Sequence, residues 1–330
     1  MNRNLIVILG PTAVGKTRFA VKLARRLDTE IISGDSMLVY RGFDIGTAKP
    51  VLSEREGVPH HLIDVLEPEE QFSAAEFQRM AEEAIHTVQA KGKIPILAGG
   101  TALYVKALLE GYSFCDTSAS HEYRKKLETL AETQGADCLY TMLLQKDPVA
   151  AGRIHPRNVR RVIRALEVLE IGKEHISDKN FFEETGNLRY QTWVIGLMRD
   201  RKNLYERIDM RVCQMFEQGL EHEVKELLAR GISRECPAMQ GIGYKETAAW
   251  LDGECTIEDA IQSIQTTTRH FAKRQLTWYR RMPYIHWYDL ESASEETLLD
   301  RAVSDMETYF GSRKGREPYF HGKQDIEPAG

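Results

Sequence analysis

No cysteine pattern is present. The five cysteines, Cys115, Cys138, Cys213, Cys236 and Cys255, are scattered, without a C-x-x-C pair or the histidine spacing of a zinc site, so they are expected to be reduced packing residues. Long apolar runs are missing too. Ahead of Gly10 stand only about five consecutive apolar residues, Leu5 to Leu9, too few for a signal-peptide core or a membrane span. A soluble, cytoplasmic protein with no membrane partner is therefore expected. Nor is there an excess of positive charge: 44 Lys plus Arg stand against 49 Asp plus Glu, a formal net charge of −5. A nucleic-acid partner would have to use local basic stripes. Internal repeats are absent.

What is there suffices for a large core, since 42% of the 330 residues are hydrophobic. Leu5 to Leu9, the loop GPTAVGKT and the amphipathic RFAVKLARRL read as strand, glycine-rich turn and helix. Further short apolar runs lie at Glu30 to Ser33, His61 to Val65, Ile94 to Ala98 and Trp193 to Leu197, with IHWYDL as a possible last strand. Helical patterns such as Ala74 to Lys91 separate them, which predicts an α/β fold, a P-loop NTPase-like parallel sheet covered by helices. Between His121 and about Tyr190 strand signals fade, predicting a mainly helical insertion. The expected division is 1–118 for the first part of the core, 119–190 for the insertion, 191–312 for the rest of the core with its C-terminal helices, and 313–330 for a polar, frayed tail.

The stretch from Gly10 to Thr17 fits G-x-x-x-x-G-K-[ST] at every fixed position. Backbone N–H groups of Gly10, Thr12, Ala13, Val14 and Gly15, with Pro11 shaping the turn between them, would frame an anion cradle at a helix N-terminus. Lys16 adds a point charge, and the Thr17 hydroxyl can reach phosphate or Mg²⁺. The next strand ends in GDSMLVY, which puts Asp35 and Ser36 at the carboxyl edge of the sheet, where ligands bind in open α/β folds. Asp35 there can hold Mg²⁺ through water, act as a general base, or simply cap its loop. Gly99 and Gly100 allow close backbone approach, with Thr101 either as a ligand contact or as an N-cap.

Two basic segments break the acidic average. Ala151 to Arg164 holds five arginines and no acid; Arg269 to Arg281 carries Arg269, Lys273, Arg274, Arg280 and Arg281 with His270, again without acid. Each can track phosphates while Trp278 or Tyr279 stacks on a base, or can be a solvated basic face. Arg207 and Arg211 are four apart on one helical face and can clamp a diphosphate, or can pair with Glu206 or Asp209.

In combination, GPTAVGKT, DSMLVYRGFDIGTAKP, VPHHLIDV, FSAAEF, GKIPILAGGTALYVKALLEG, IHPRNVRRVIRALEV, GIGYKE and AKRQLTWYRR resemble the bacterial tRNA dimethylallyltransferases, also called tRNA isopentenyltransferases. The resemblance runs from about residue 4 to about residue 290. It implies transfer of a dimethylallyl group from dimethylallyl diphosphate to N6 of the adenosine just 3′ of the anticodon, with diphosphate released. The phosphate held by the loop would then belong to a prenyl donor, with Mg²⁺ as cofactor and Thr17 as its protein ligand. The resemblance further implies Asp35 as the base that accepts the N6 proton, with Thr17 and Arg211 acting on the diphosphate and Arg207 as the alternative clamp. Contact with the tRNA anticodon stem-loop is implied for Asp35, Ser36, Met37, Leu38, Thr101, Arg124, Arg160, Arg161, Val162, Ile163 and Arg164. The same is implied for Gln240, Gly241, Ile242, Gly243, Tyr244 and Lys245, and for Lys273, Arg274, Gln275, Leu276, Thr277, Trp278, Tyr279 and Arg280. Two positions depart from the family pattern: Leu38, where many members carry Gln, and Ala102, where many carry Gly. A monomer is expected.

Three other functions fit parts of this pattern. Prenylation of free AMP or ADP needs no long phosphate-tracking surface, and a small-molecule kinase needs a Walker-B type Asp that is not evident near the GGT strand. A non-catalytic RNA-binding module leaves the complete P-loop beside Asp35 without a purpose.

Overall fold

The computed structural model describes residues 3–112, 121–171 and 188–312. Strand β1 (Asn4–Leu9) is buried on both faces and runs through the glycine-rich loop into α1 (Lys16–Arg26). Gly15 precedes that helix with φ 111°, a left-handed conformation that glycine adopts without steric cost. Then come β2 (Ile31–Ser33), the short α2 (Leu52–Arg55), β3 (His60–His61), α3 (Ala74–Ala90), β4 (Ile96–Gly99) and α4 (Ala102–Glu110). Four helices follow: α5 (His121–Gln134), α6 (Ala136–Lys146), α7 (Pro148–Arg153) and α8 (Val159–Ile171). The chain continues with β5 (Gln191–Met198), α9 (Arg201–Glu217), α10 (Leu220–Ala229), α11 (Tyr244–Leu251), α12 (Ile257–Tyr279), β6 (Ile285–Asp289) and α13 (Glu295–Ser312).

All six strands are parallel, in the order β3-β2-β4-β1-β5-β6. Alternation along β1 separates the two sides of the sheet. Leu5, Val7 and Leu9 join one buried cluster with Ile32, Leu97 and Val194; Ile6 and Ile8 join the other with Ile31, Ile96 and Ile195. Burying such a side chain contributes roughly 1.5–3 kcal/mol, so both helix layers are tightly held to the sheet. From β1 the chain crosses to β2 on one side, and from β4 it proceeds to β5 on the other. The carboxyl ends of β1 and β4 therefore flank a topological switch point, the place where open α/β sheets bind ligands. The α/β fold with a helix-covered parallel sheet is as the sequence predicts. Among the described residues no helix is long and apolar enough to cross a membrane.

One strand is much shorter than its apolar run. Of the stretch His61 to Val65, only His61 pairs with β2, together with His60 just before it. Leu62 (φ 61°) and Asp64 (φ 55°) take left-handed backbone, which turns the segment away from the sheet. Val65 N–H then donates to Val39 O at 2.8 Å, and Asp64 N–H to Leu38 O at 3.1 Å. The buried Lys49 secures this detour by donating to Tyr40 O at 2.8 Å, to Asp44 at 2.7 Å and to Asp64.

The chain divides into two compact units, Met1–Leu109 with Leu188–Gly330, and Glu110–Asn187. The second packs α5 to α8 around Leu127, Leu139, Leu143, Val162, Ile163 and Leu166. Asp147 caps α7 by accepting from Ala150 N–H at 2.9 Å, ahead of Pro148 in the first turn. Glu167, fully buried, accepts a two-pronged contact from Arg124: Nε at 3.0 Å and Nη2 at 2.8 Å. The expected tail over 313–330, Cys115 and the last part of the expected insertion, 172–187, lie outside the described residues.

Glu167→Ala leaves the Arg124 guanidinium without its carboxylate in the helical unit. Because Arg124 and Arg164 keep 40% exposure, the loss expected is that of charged hydrogen bonds, about 1.5–3 kcal/mol in urea-unfolding free energy, while Glu170→Ala, at an exposed Lys146 pair, should cost under about 1 kcal/mol.

Candidate functional site

Cations grip the outer side of the P-loop. Lys16 Nζ donates to Gly10 O and Pro11 O, both at 2.8 Å, Arg207 Nε donates to Ala13 O at 2.9 Å, and Arg199 Nε donates to Val14 O at 2.9 Å. Four carbonyls of the loop are thus occupied by positive groups. The N–H groups of Lys16 and Thr17 open α1 and have no intrahelical partner, so this end of the loop offers donors to an anion. Burial lowers the Lys16 pKa to about 7; the nearby Arg211 adds to the effect and Asp35 opposes it. Arg211 is likewise pushed down by burial, with Arg207 adding and Asp35 and Glu54 opposing. The site is electrostatically overloaded with positive charge.

The second wall comes from the ends of β2 and β4. A Cβ on Gly99 would sit 2.2 Å from Gly34 O, so only glycine lets these two strand ends meet. Gly34 N–H donates to Ala98 O at 2.8 Å and Thr101 N–H to Gly34 O at 3.3 Å. That contact presents Asp35 beside the glycine pair. Asp35 Oδ2 and Lys16 Nζ each lie 3.8 Å from the point a Gly100 Cβ would occupy. Asp35 Oδ1 accepts from Met37 N–H at 2.9 Å, which fixes the carboxylate in an Asx turn, and Thr101 Oγ1 accepts from Ser36 N–H at 3.0 Å.

A third segment, residues 44–47, is held by a single distant carboxylate. Glu223 accepts from the N–H groups of Asp44, Ile45 and Gly46 at 3.1, 2.7 and 3.2 Å, and from the Tyr244 hydroxyl at 2.6 Å. Arg211 Nη2 donates to Thr47 O at 3.5 Å, which ties this segment to α9. The exposed Thr17 makes no hydroxyl hydrogen bond among the described residues, and Asp35 keeps one oxygen clear of Met37. Both are hard oxygen donors, a set that suits Mg²⁺ bound mainly through phosphate and water. Among the described residues no group of three His, Cys, Asp or Glu side chains gathers to hold a metal alone.

A P-loop, a fixed carboxylate and a half-buried arginine at one sheet edge suit displacement of a diphosphate. Residues 38–282 match the family described as IPP transferase. The tRNA dimethylallyltransferase of Alkaliphilus oremlandii is 46% identical over 314 residues, 94% of this chain and 100% of that one. The chain belongs to the tRNA dimethylallyltransferase family. The enzyme of that name from Bacillus subtilis is 45% identical over 299 residues, 91% of this chain and 95% of its own. Among solved structures, the full-length tRNA isopentenylpyrophosphate transferase of Bacillus halodurans superposes with TM-score 0.71 at 43% identity, covering 95% of this chain and 99% of that one. A eukaryotic dimethylallyltransferase acting on tRNA superposes with TM-score 0.82 at 31% identity, covering 96% and 82%.

For this tRNA dimethylallyltransferase family member, the structure joins many of the residues singled out in the sequence. Gly10 to Thr17, Asp35, Thr101 and Arg211 lie together in the larger unit. Met37 approaches Gly241 so closely that a Cβ there would be 2.6 Å from Met37 Cε, which brings residues 35–38 beside 240–245. Leu38 and Ile242 are half-buried, Gly243 is buried, and Gln240 and Lys245 are exposed. On α12, Lys273, Arg274, Thr277 and Trp278 are exposed, as is its C-cap Arg280, and Leu276 is half-buried. Arg160, Arg161 and the partly covered Arg164 lie on α8 of the other unit.

Five expected tRNA contacts are interior side chains: Val162, Ile163, Tyr244, Gln275 and Tyr279. The first two fill the helical core, Tyr244 bonds Glu223, and the last two bond loops. Arg124, likewise, is engaged by Glu167. Asp209 pairs with Arg269 at 2.9 Å, not with Arg207 or Arg211. Sequence reasoning missed Arg199, Lys49 and Glu223, whose roles come from contacts across long stretches of chain.

With burial lowering the Lys16 pKa to about 7, binding of an anion beside it should restore its proton above that pH. Between about 7 and the ordinary 10.5 the unfolded chain holds a proton that the folded one lacks, so stability should rise with pH across this window. Calorimetry at pH 8.5 in buffers of different ionisation enthalpy should show greater proton uptake on diphosphate binding in the wild type than in Lys16→Arg. Equal uptake would contradict the assignment.

Proposed function

We propose that the protein transfers the dimethylallyl group of dimethylallyl diphosphate to N6 of adenosine 37 of tRNA, just 3′ of the anticodon, and releases diphosphate. The observation that carries this reading is Asp35 facing Lys16 across Gly100, with Arg211 behind, in a member of the tRNA dimethylallyltransferase family. The C1–O bond of the donor breaks as the N6–C1 bond forms, and the N6 proton passes to the Asp35 carboxylate. Asp35 is anchored by Met37 N–H through one oxygen only, which leaves the other for that proton.

Charge on the departing diphosphate is the dominant demand. Lys16, the loop N–H groups and Arg211 answer it from groups already ordered before the donor binds, so little reorganisation remains for the transition state. Mg²⁺ held by Thr17 would add neutralising charge to the diphosphate. Arg211, near Lys16 and Asp35, bonds Thr47 O, while Arg207 is committed through Nε to the P-loop. This favours Arg211 as the clamp and Arg207 as support. Adenosine must leave its stack to reach the site, which costs less in an anticodon loop than in a duplex. The same reading takes the helical unit as a tRNA-binding insertion, with Arg160, Arg161, Lys273, Arg274 and Arg280 on phosphates, and a cytoplasmic monomer as the working state.

Incubation with labelled dimethylallyl diphosphate, Mg²⁺ and unmodified tRNA should yield N6-modified adenosine beside the anticodon without ATP. Label in AMP alone would move the function to mononucleotide prenylation. In Asp35→Ala, turnover should fall by 100-fold or more with tRNA affinity within about threefold. In Lys273→Ala and Arg280→Ala, tRNA affinity should weaken and the salt slope should drop by about one each.

A further inference from the structure

Helix α12 has two chemically separate faces. Lys273, Arg274, Thr277, Trp278 and Arg280 are exposed, whereas Gln275 and Tyr279, one turn apart, are 4% and 0% exposed. The inner pair reaches two loops at once. Gln275 Oε1 accepts from Thr12 N–H at 2.8 Å and its Nε2 donates to Gly100 O at 2.8 Å. Since one partner can only donate and the other only accept, the amide orientation is fixed. The Tyr279 hydroxyl donates to the same Gly100 O at 2.8 Å and lies 3.5 Å from Gly10 O. Gly100 is confined on this side as well, because a Cβ there would stand 2.7 Å from Gln275 Nε2.

We propose that Gln275 and Tyr279 are positioning residues that set the gap between the P-loop wall, Gly10 to Thr12, and the wall formed by Gly100 and Thr101. The inference rests on the donor-site reading given above. Lys16 stands on one wall and Asp35 beside the other, so the gap decides how the donor carbon meets the acceptor nitrogen. Misplacement of reacting groups by about 1 Å is enough to cost on the order of 100-fold in rate. Each wall keeps its own binding groups when the staple is cut: the P-loop retains its amides and Lys16, and the outer face of α12 retains its basic residues. Loss should therefore appear in turnover rather than in either affinity.

The test uses Gln275→Met, close in volume but unable to bond either loop, and Tyr279→Phe, which removes a single hydroxyl. For each, kcat is measured with saturating tRNA and dimethylallyl diphosphate, alongside Kd for inorganic diphosphate with Mg²⁺ and Kd for an unmodified anticodon stem-loop. The expected result is a fall in kcat of tenfold or more in Gln275→Met and threefold or more in Tyr279→Phe, with both Kd values within about threefold of wild type. Unchanged kcat would overturn the proposal, as would a diphosphate Kd that weakens in step with kcat, the mark of a merely structural loop support. Should Gln275→Met fail to fold, Tyr279→Phe decides alone. Failure of the underlying function is read separately, as absence of N6-modified adenosine with the wild-type protein.

Discussion

The site depends on a contact between two glycines. Gly99 lies against Gly34 so closely that no side chain fits between the ends of β4 and β2, and Thr101 N–H bonds Gly34 O across the junction. That meeting places Asp35 next to Gly100, and β4 is also the strand paired with β1, whose end carries the P-loop. Three consecutive strand ends thus deliver a phosphate cradle, a glycine-lined gap and a carboxylate to one edge of the sheet. A larger residue at position 99 would push the ends of β4 and β2 apart.

Around this gap the charge is deliberately unbalanced. Lys16 and Arg211 lie near Asp35, with Glu54 also near Arg211, while Arg207 and Arg199 bond the loop carbonyls and Arg199 pairs with Glu291 at 3.8 Å; the cost is visible in the depressed proton affinity of Lys16 and Arg211. Backbone carbonyls of the loop carry part of the load, and Arg269 with Asp209 and Glu223 with the 44–46 amides hold the surrounding helices and loop in position. Such an arrangement is poor for stability and suited to a multiply charged leaving group, because its dipoles are aimed before the charge arrives.

Local signals were read from sequence correctly where they act locally. The run Leu5 to Leu9, the glycine loop and α1 follow one another along the chain, and both alternation and turn chemistry are encoded there. His61 to Val65 was not legible in the same way: its apolar residues do enter the core, but the left-handed turns at Leu62 and Asp64 carry them in off the sheet. Nothing in the sequence joins Glu223 to Ile45 or Gln275 to Thr12, since each pair meets only once the helices have packed on the sheet. The expectation that Gln275 and Tyr279 contact tRNA treats their segment as a whole. Their four-residue spacing also contained the information that they share a face, and burial decides which face that is.

The measurement that tests the central claim most directly is a crystal structure with a non-reactive thio analogue of dimethylallyl diphosphate and Mg²⁺. The account predicts the diphosphate in the Gly10 to Thr17 loop, with Lys16 Nζ transferred from the Gly10 and Pro11 carbonyls to a phosphate oxygen and the allyl group directed toward Asp35 and Thr101. A diphosphate bound elsewhere, or Lys16 still seated on its two carbonyls beside an occupied loop, would contradict it.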